Sequence, residues 1–221
     1  MNIYCLIPVR KDSSRIKNKN IVKIKKKKLI KYVCEKIIRS KNINQFHILS
    51  DSFEYFKCVR ELSKKVNYFR RSYKSSRKFS KTEEVVSEFL KQQKNSRKED
   101  IIILLQITNP FINYKILDQA ILQFKRGRAD TMLSVSPSKK FLWKNLNFSK
   151  PLNYNYKMRK FSQKFEDYYI ENGSFYIFRR KNFLKYKNRL HGKISLFKMS
   201  KESQFEIDDL SDLKIVRKII S

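Results

Sequence analysis

The sequence predicts an α/β fold, a mostly parallel sheet flanked by helices, on three observations. Short apolar runs such as Ile3 to Pro8 and Asp100 to Leu105 lack polar alternation, as strands covered on both faces do. Stretches with apolar residues at helical spacing separate these runs, the βα alternation from which parallel sheets are built. The runs end abruptly in polar residues, where open α/β sheets bind their ligands. At 221 residues and 41% apolar content, a single domain spanning 1–221 with a sizeable core accounts for the chain.

The first strand ends at Pro8, which has no amide donor, and passes into a polar loop carrying Arg10, Arg15, Lys17 and Lys19. A buried strand delivering cations to its end predicts a polyanionic ligand. Arg10 offers a planar fork for phosphate oxygens and Lys19 a compact charge, although a solvated basic loop is the bland alternative. Leu29 to Ser40 then reads as a helix, with the Lys25 to Lys28 run before it in solvent. Phe46 to Leu49 is a second strand, ending in Ser50-Asp51-Ser52, and Phe53 to Lys64 reads as a helix. Asp51 is either the cap of that helix or support for a site. Val66 to Phe69 is a third strand followed by Arg70-Arg71, and residues 72 to 81 are too polar to pack, as in a mobile loop.

Thr82 opens an amphipathic helix as its cap, with Val85, Val86, Phe89 and Leu90 facing inward. The strand from Asp100 ends in Gln106-Ile107-Thr108-Asn109-Pro110, and Gln106 can donate and accept at once. Tyr114 to Phe124 is a helix stopped near Gly127, and Thr131 to Ser136 a strand. Residues 137 to 170 interrupt the alternation with Phe141, Trp143, Phe148 and a Tyr-Asn-Tyr stretch, either a lid or a dimerisation tongue. Strands follow at Glu171 to Phe178 and Ile194 to Met199, and a last amphipathic helix closes the chain. Four of its twenty acids fall between Glu206 and Asp212. In extended chain, residues 206 and 208 share a face, so two carboxylates can converge on a hard cation, while Asp209 caps the helix.

The net charge of +32, from 52 basic and 20 acidic residues, would ordinarily suggest nucleic acid or an anionic membrane. Here the lysines are spread along the whole chain, as AT-rich coding bias spreads them, and no nucleic-acid-binding motif is present. A basic nucleic-acid-binding protein is thus the alternative from another class. Cys5, Cys34 and Cys58 lack CxxC spacing, so neither a disulfide framework nor zinc is indicated, and a reducing cytoplasm fits. The first apolar run is too short for a signal-peptide core and no run reaches a membrane span, so a soluble protein is expected.

Three segments carry a resemblance. IPVRKDSSRIKNKNI, LLQITNP and ENGSFYIF resemble the signatures of the acylneuraminate cytidylyltransferase (CMP-sialic acid synthetase) family. That family reads I-P-A-R followed by a glycine-containing loop and K-N, then L-L-Q-P-T-S-P, then N-G-A-x-Y-I. Lys11 and Asp12 stand where glycines often occur, which shifts phosphate binding towards side-chain charge. The resemblance implies a Rossmann-like nucleotidyltransferase fold with an inserted dimerisation tongue, and transfer of CMP from CTP to a nine-carbon 2-keto sugar acid with release of pyrophosphate. It implies catalytic roles for Arg10, Lys19 and Asp208. Nucleotide contacts fall to Arg10, Ser13, Arg15, Lys19, Asn20, Arg71, Thr82 and Gln106, and sugar contacts to Gln106, Lys144, Arg159, Asn172 and Tyr176. The family's D-I-D magnesium motif is Glu206-Ile207-Asp208 here, with Asp208 the main ligand for Mg²⁺ or Mn²⁺ and Glu206 the longer, displaced one. A homodimer is implied. The Ser13 to Ile16 stretch is closer to the sister family acting on the eight-carbon acid Kdo, the alternative within enzymes.

Overall fold

The computed structural model describes residues 1–11, 15–93, 97–159 and 168–220. In chain order the elements begin with β1 (Ile3–Pro8), a small hairpin of β2 (Lys23–Ile24) and β3 (Lys27–Lys28), α1 (Leu29–Ile37), β4 (Gln45–Ser50) and α2 (Phe53–Lys57). Next come β5 (Val66–Arg70), α3 (Tyr73–Ser76), α4 (Thr82–Gln92), β6 (Ile101–Leu105), α5 (Tyr114–Arg126) and β7 (Thr131–Ser138). A second hairpin of β8 (Trp143–Lys144) and β9 (Lys150–Pro151) precedes β10 (Tyr168–Arg179), α6 (Arg180–Tyr186), β11 (Ile194–Lys198) and α7 (Leu210–Ile220).

Seven strands make one sheet in the order β11-β7-β10-β6-β1-β4-β5, in which only β10 runs antiparallel to its neighbours. Side chains of β1 and β6 alternate between two cores, as strands buried on both faces require. Cys5, Ile7, Ile103 and Leu105 pack with α1, α5 and α7 through Val33, Leu117, Phe124 and Val216. Leu6, Ile102 and Leu104 pack with α4 and α6 through Val85, Phe89 and Phe183. Each such buried Leu, Ile or Phe contributes about 1.5–3 kcal/mol. From β1 the chain adds β4 and β5 on one side and then returns to add β6 on the other. The crevice of this sheet therefore lies past the carboxyl ends of β1 and β6, where the winding reverses.

The structure departs from the sequence reading in five places. The helix expected over 53 to 64 ends at Lys57, and a 3-10 turn over Arg60–Leu62 follows, because Val59 and Leu62 close three-residue rings onto Phe56 and Val59 at 2.9 and 3.0 Å. Residues 72 to 81 pack through polar groups: Ser75 is buried and donates to Glu88 at 2.7 Å, and α3 lies within the segment. The helix α6 had no separate expectation, since it buries a single large residue, Phe183. Lys81, not Thr82, holds the cap position of α4, and the Glu84 carboxylate accepts its N–H at 3.3 Å. Finally, the strands flanking the excursion run further into it than expected, Tyr168 pairing with Ser138 and Tyr169 with Pro137. Among the described residues, no helix is long and apolar enough to cross a membrane.

Candidate active site

Past the carboxyl ends of β1, β5 and β6 lies a cleft of about 490 Å³ whose walls include Arg10, Arg15, Lys19, Arg71, Gln106 and Glu206. Local chain geometry brings the first loop's cations together. Asn18 adopts a left-handed conformation (φ 56°) that starts a 3-10 turn over Lys19–Ile21. The buried Asn20 side chain donates to Arg10 O at 2.8 Å, tying that turn to the end of β1. On the other side Asp51 accepts the Lys11 N–H at 2.9 Å, so this acid anchors the loop and does not cap α2, whose cap position is Ser52. Arg10 Nη1 donates to Arg77 O and Lys78 O at 3.2 and 2.7 Å, which brings the 77–82 segment to the cleft. Ser13 lies outside the described residues.

The acidic segment meets these cations directly. Lys19 Nζ donates to Ile207 O at 3.0 Å and to Asp208 Oδ1 at 3.2 Å, and Arg15 Nη2 lies 3.1 Å from the same carboxylate oxygen. Glu206 accepts from the Thr108 hydroxyl at 2.6 Å. Burial pushes the Glu206 carboxyl above its ordinary range and the Asp208 charge adds to this, against the opposing pull of the Thr108 bond, Lys19 and Arg15. A side chain at Gly173 would drive its Cβ into the Glu206 carboxylate, and its φ of +64° disfavours other residues. Asp209 accepts from the backbone of Ser211 and Asp212 at 2.8 and 3.0 Å, and Asp212 accepts the N–H groups of Asp208 and Asp209. Both cap α7 and hold the preceding turn, while Glu206 and Asp208 remain on the cation side. Among the described residues, no three His, Cys, Asp or Glu side chains cluster as a metal site. Two hard carboxylates beside a phosphate-sized cleft nevertheless suit Mg²⁺, which takes one or two protein carboxylates and completes its shell with phosphate oxygens and water.

The other expected residues divide into two groups. Arg71 is buried at the cleft wall, gives Nη2 to Ser75 O, and leaves Nε without a partner among the described residues. Burial lowers its pKa and Arg10 adds to this, against the opposing pull of Asp51, Glu88 and Glu84. Thr82 and Gln106 also line the cleft, and Gln106 is fixed through its N–H to Ser174 O at 3.0 Å. Asn172 instead lies in the core: its amide donates to Ser136 and Ser203 at 3.2 and 2.9 Å and accepts from Ser134 at 2.7 Å. Tyr176 is buried on β10, with its hydroxyl given to Glu171. Lys144 lies on the exposed β8–β9 hairpin, and the Arg159 guanidinium stacks 4.3 Å from the Phe141 ring centroid. The chain does not bring these last two to the cleft.

Sequence reading missed Arg189 and Glu83, which face each other on the cleft wall. Neither had a signal: one is an ordinary cation in a basic chain, the other a first-turn acid of a helix.

The chain matches the family model described as Cytidylyltransferase over residues 4–219. It is 28% identical over 212 residues to the N-acylneuraminate cytidylyltransferase A of Danio rerio, covering 94% of this chain and 48% of that protein, so it spans about half the relative's length. It is 26% identical over 223 residues to the pseudaminic acid cytidylyltransferase of Campylobacter jejuni subsp. jejuni serotype O:23/36 (strain 81-176), covering 98% and 95% of the two chains. In three dimensions it resembles a CMP:2-keto-3-deoxy-manno-octonic acid synthetase complexed with CTP, at a TM-score of 0.71 and 15% identity over 100% of this chain and 98% of the other. At that identity the likeness is one of fold.

Proposed function

The chain belongs to the cytidylyltransferase family, and from that premise we propose that it transfers CMP from CTP to a nine-carbon 2-keto sugar acid of sialic, legionaminic or pseudaminic type. The observation that carries the reading is the meeting of Arg15 and Lys19 with Asp208 beside Glu206, at the point where the sheet's winding reverses. Cations for a triphosphate and carboxylates for its counter-ion share one wall.

In the reaction, the sugar's anomeric hydroxyl oxygen forms a bond to the α-phosphorus of CTP. The bond from that phosphorus to the bridging oxygen breaks, pyrophosphate leaves with the electron pair, and the hydroxyl proton is released. Arg10 and Lys19 hold the phosphate oxygens on which charge develops, and each charge-assisted contact is worth about 1.5–3 kcal/mol. Asn20 and Asp51 keep the loop in place so that those cations are set before substrate arrives. Asp208 and Glu206 would hold Mg²⁺, which neutralises triphosphate charge when bound. Arg71, Thr82 and the 77–81 backbone form the wall available to the nucleoside, and Gln106 faces both substrates. The working unit is a homodimer joined through residues 137 to 170. Support for this is the exposed surface of Trp143, Leu146, Phe148 and Tyr156, which the fold of one chain leaves uncovered.

Pyrophosphate release across a panel of nucleoside triphosphates, with nine- and eight-carbon keto acids, tests the reading. Release with CTP and a nine-carbon acid is expected. Turnover of Kdo alone would move the assignment to the eight-carbon acid, and no turnover with any pair would sink it.

A further inference from the structure

One wall of the cleft is not used by the phosphate chemistry. Arg189, between α6 and β11, gives Nε to Glu83 Oε1 at 2.6 Å and Nη2 to Glu83 Oε2 at 3.1 Å. Its guanidinium lies 5.0 Å from the centroid of the Tyr176 ring, whose hydroxyl donates to Glu171 and also interacts with the guanidinium. The side chains of Arg189 and Glu83 are only 18% and 19% exposed, and both line the cleft. A guanidinium carries five N–H donors in one plane, so the two given to Glu83 leave donor capacity on its other edges. Glu83 and Tyr176 together fix that plane, and a fixed plane suits a planar bidentate acceptor more than a mobile one.

Placement narrows the acceptor. Arg10, Arg15 and Lys19 stand on the β1 loop, whereas Arg189 rests on β10, beyond β6 and its terminal Gln106. Arg71, Lys78 and Lys81 lie on the wall given to the nucleoside, so Arg189 is the lining cation that stands on the β10 side of Gln106. Accepting the function proposed above, CTP brings its phosphates to the β1 loop, and the co-substrate brings one permanent charge, the carboxylate on the carbon that bears the reacting hydroxyl. We propose that Arg189 binds the sugar acid's carboxylate, with Glu83 as the positioning residue that sets the plane of the guanidinium.

Arg189→Met, Arg189→Lys and Glu83→Gln should be compared with the native chain for KM towards CTP and towards the sugar acid, and for turnover of the acid against its methyl ester. Arg189→Met is expected to raise the sugar-acid KM by roughly one to two decades while the CTP KM stays within about twofold. Arg189→Lys should recover part of the loss, and Glu83→Gln should show a smaller loss with the same split. The native chain should prefer acid to ester, and Arg189→Met should lose that preference. A native chain indifferent to esterification, or an Arg189→Met protein that keeps the native preference, would overturn the proposal. So would equal rises in both KM values with a lowered Tm, the signature of a residue that only holds a loop. Failure of the native chain to use any nine-carbon acid would instead remove the function on which the proposal rests.

Discussion

Lys19 and Lys26 lie close together in a chain with 52 lysines and arginines, yet they are cations of different kinds. Lys19 is largely buried, with its side chain 15% exposed and its ammonium bonded to Ile207 O and Asp208. Lys26 and its neighbours Lys25, Lys27 and Lys28 are exposed on the β2–β3 hairpin. Lys19 has been given a direction by its surroundings and Lys26 a place in solvent, while Lys27 only pairs with Glu35 at the surface. In a protein this basic, charge density does not locate a site; the geometry that fixes a charge does.

The largest effect expected is at the partner of the fixed cations. Asp208→Asn should abolish turnover at any magnesium concentration, because Asp208 joins Arg15 and Lys19 and would supply a metal oxygen. Glu206→Asp should remain active and chiefly change the magnesium needed, since the shorter side chain draws the carboxylate back from Thr108. Rate measured against metal concentration separates them: near-native magnesium dependence for Asp208→Asn would remove the metal role. Next, Lys19→Ala should cost roughly one to two decades in rate, while the exposed Lys17→Ala should not. Equal losses at the two positions would mean that bulk charge, and not a placed contact, holds the nucleotide.

The opposite extreme is a basic side chain kept neutral. His47 is buried on β4 with Nε2 3.0 Å from Gln45 Oε1 and its ring 4.6 Å from that of Phe89, and burial lowers its pKa from 6.5 to about 4. The unfolded chain therefore binds a proton between those values that the folded chain refuses. Stability from this group is full above the unfolded value and is lost as pH falls from 6.5 towards 4, by up to about 3 kcal/mol. Chemical denaturation over that window should show the decline, and His47→Leu should flatten it. An unchanged slope in the variant would assign acid sensitivity to the carboxylates.

Most of the architecture was legible because it follows from local pattern. Unbroken runs such as Ile101 to Leu105 are buried on both faces, and the spacing of Val85, Val86, Phe89 and Leu90 places one helix face in a core. The first loop, Gln106 and the acidic segment were legible because each ends a strand or precedes a helix, where short motifs keep their register. What was not legible depends on contacts between distant segments. Asn172 looked like a substrate contact until its partners Ser134, Ser136 and Ser203 were seen around it. The segment 72 to 81 looked unpackable because its anchor, Glu88, lies further along the chain on the next helix. Arg189 acquires meaning only from Glu83 and Tyr176, neither of which is near it in sequence.

The smallest effect is at the hairpin itself, and its sign is the informative part. Lys25 and Lys26 connect β2 to β3 with φ of 45° and 63°, a two-residue turn that needs positive φ at both centres. An Asn-Gly pair adopts it most readily, since a left-handed conformation costs an ordinary side chain roughly 1–2 kcal/mol. The double substitution Lys25→Asn with Lys26→Gly should therefore remove two charges and still raise stability by about 1 kcal/mol, or roughly 2–4 °C in Tm for a chain of this size. Turnover should be unchanged, and non-specific binding to a polyanion such as heparin should weaken and lose some of its salt dependence. A fall in turnover comparable to that of Lys19→Ala would erase the distinction between placed and solvated cations. A fall in Tm would mean that the hairpin lysines are held by contacts stronger than their exposure implies.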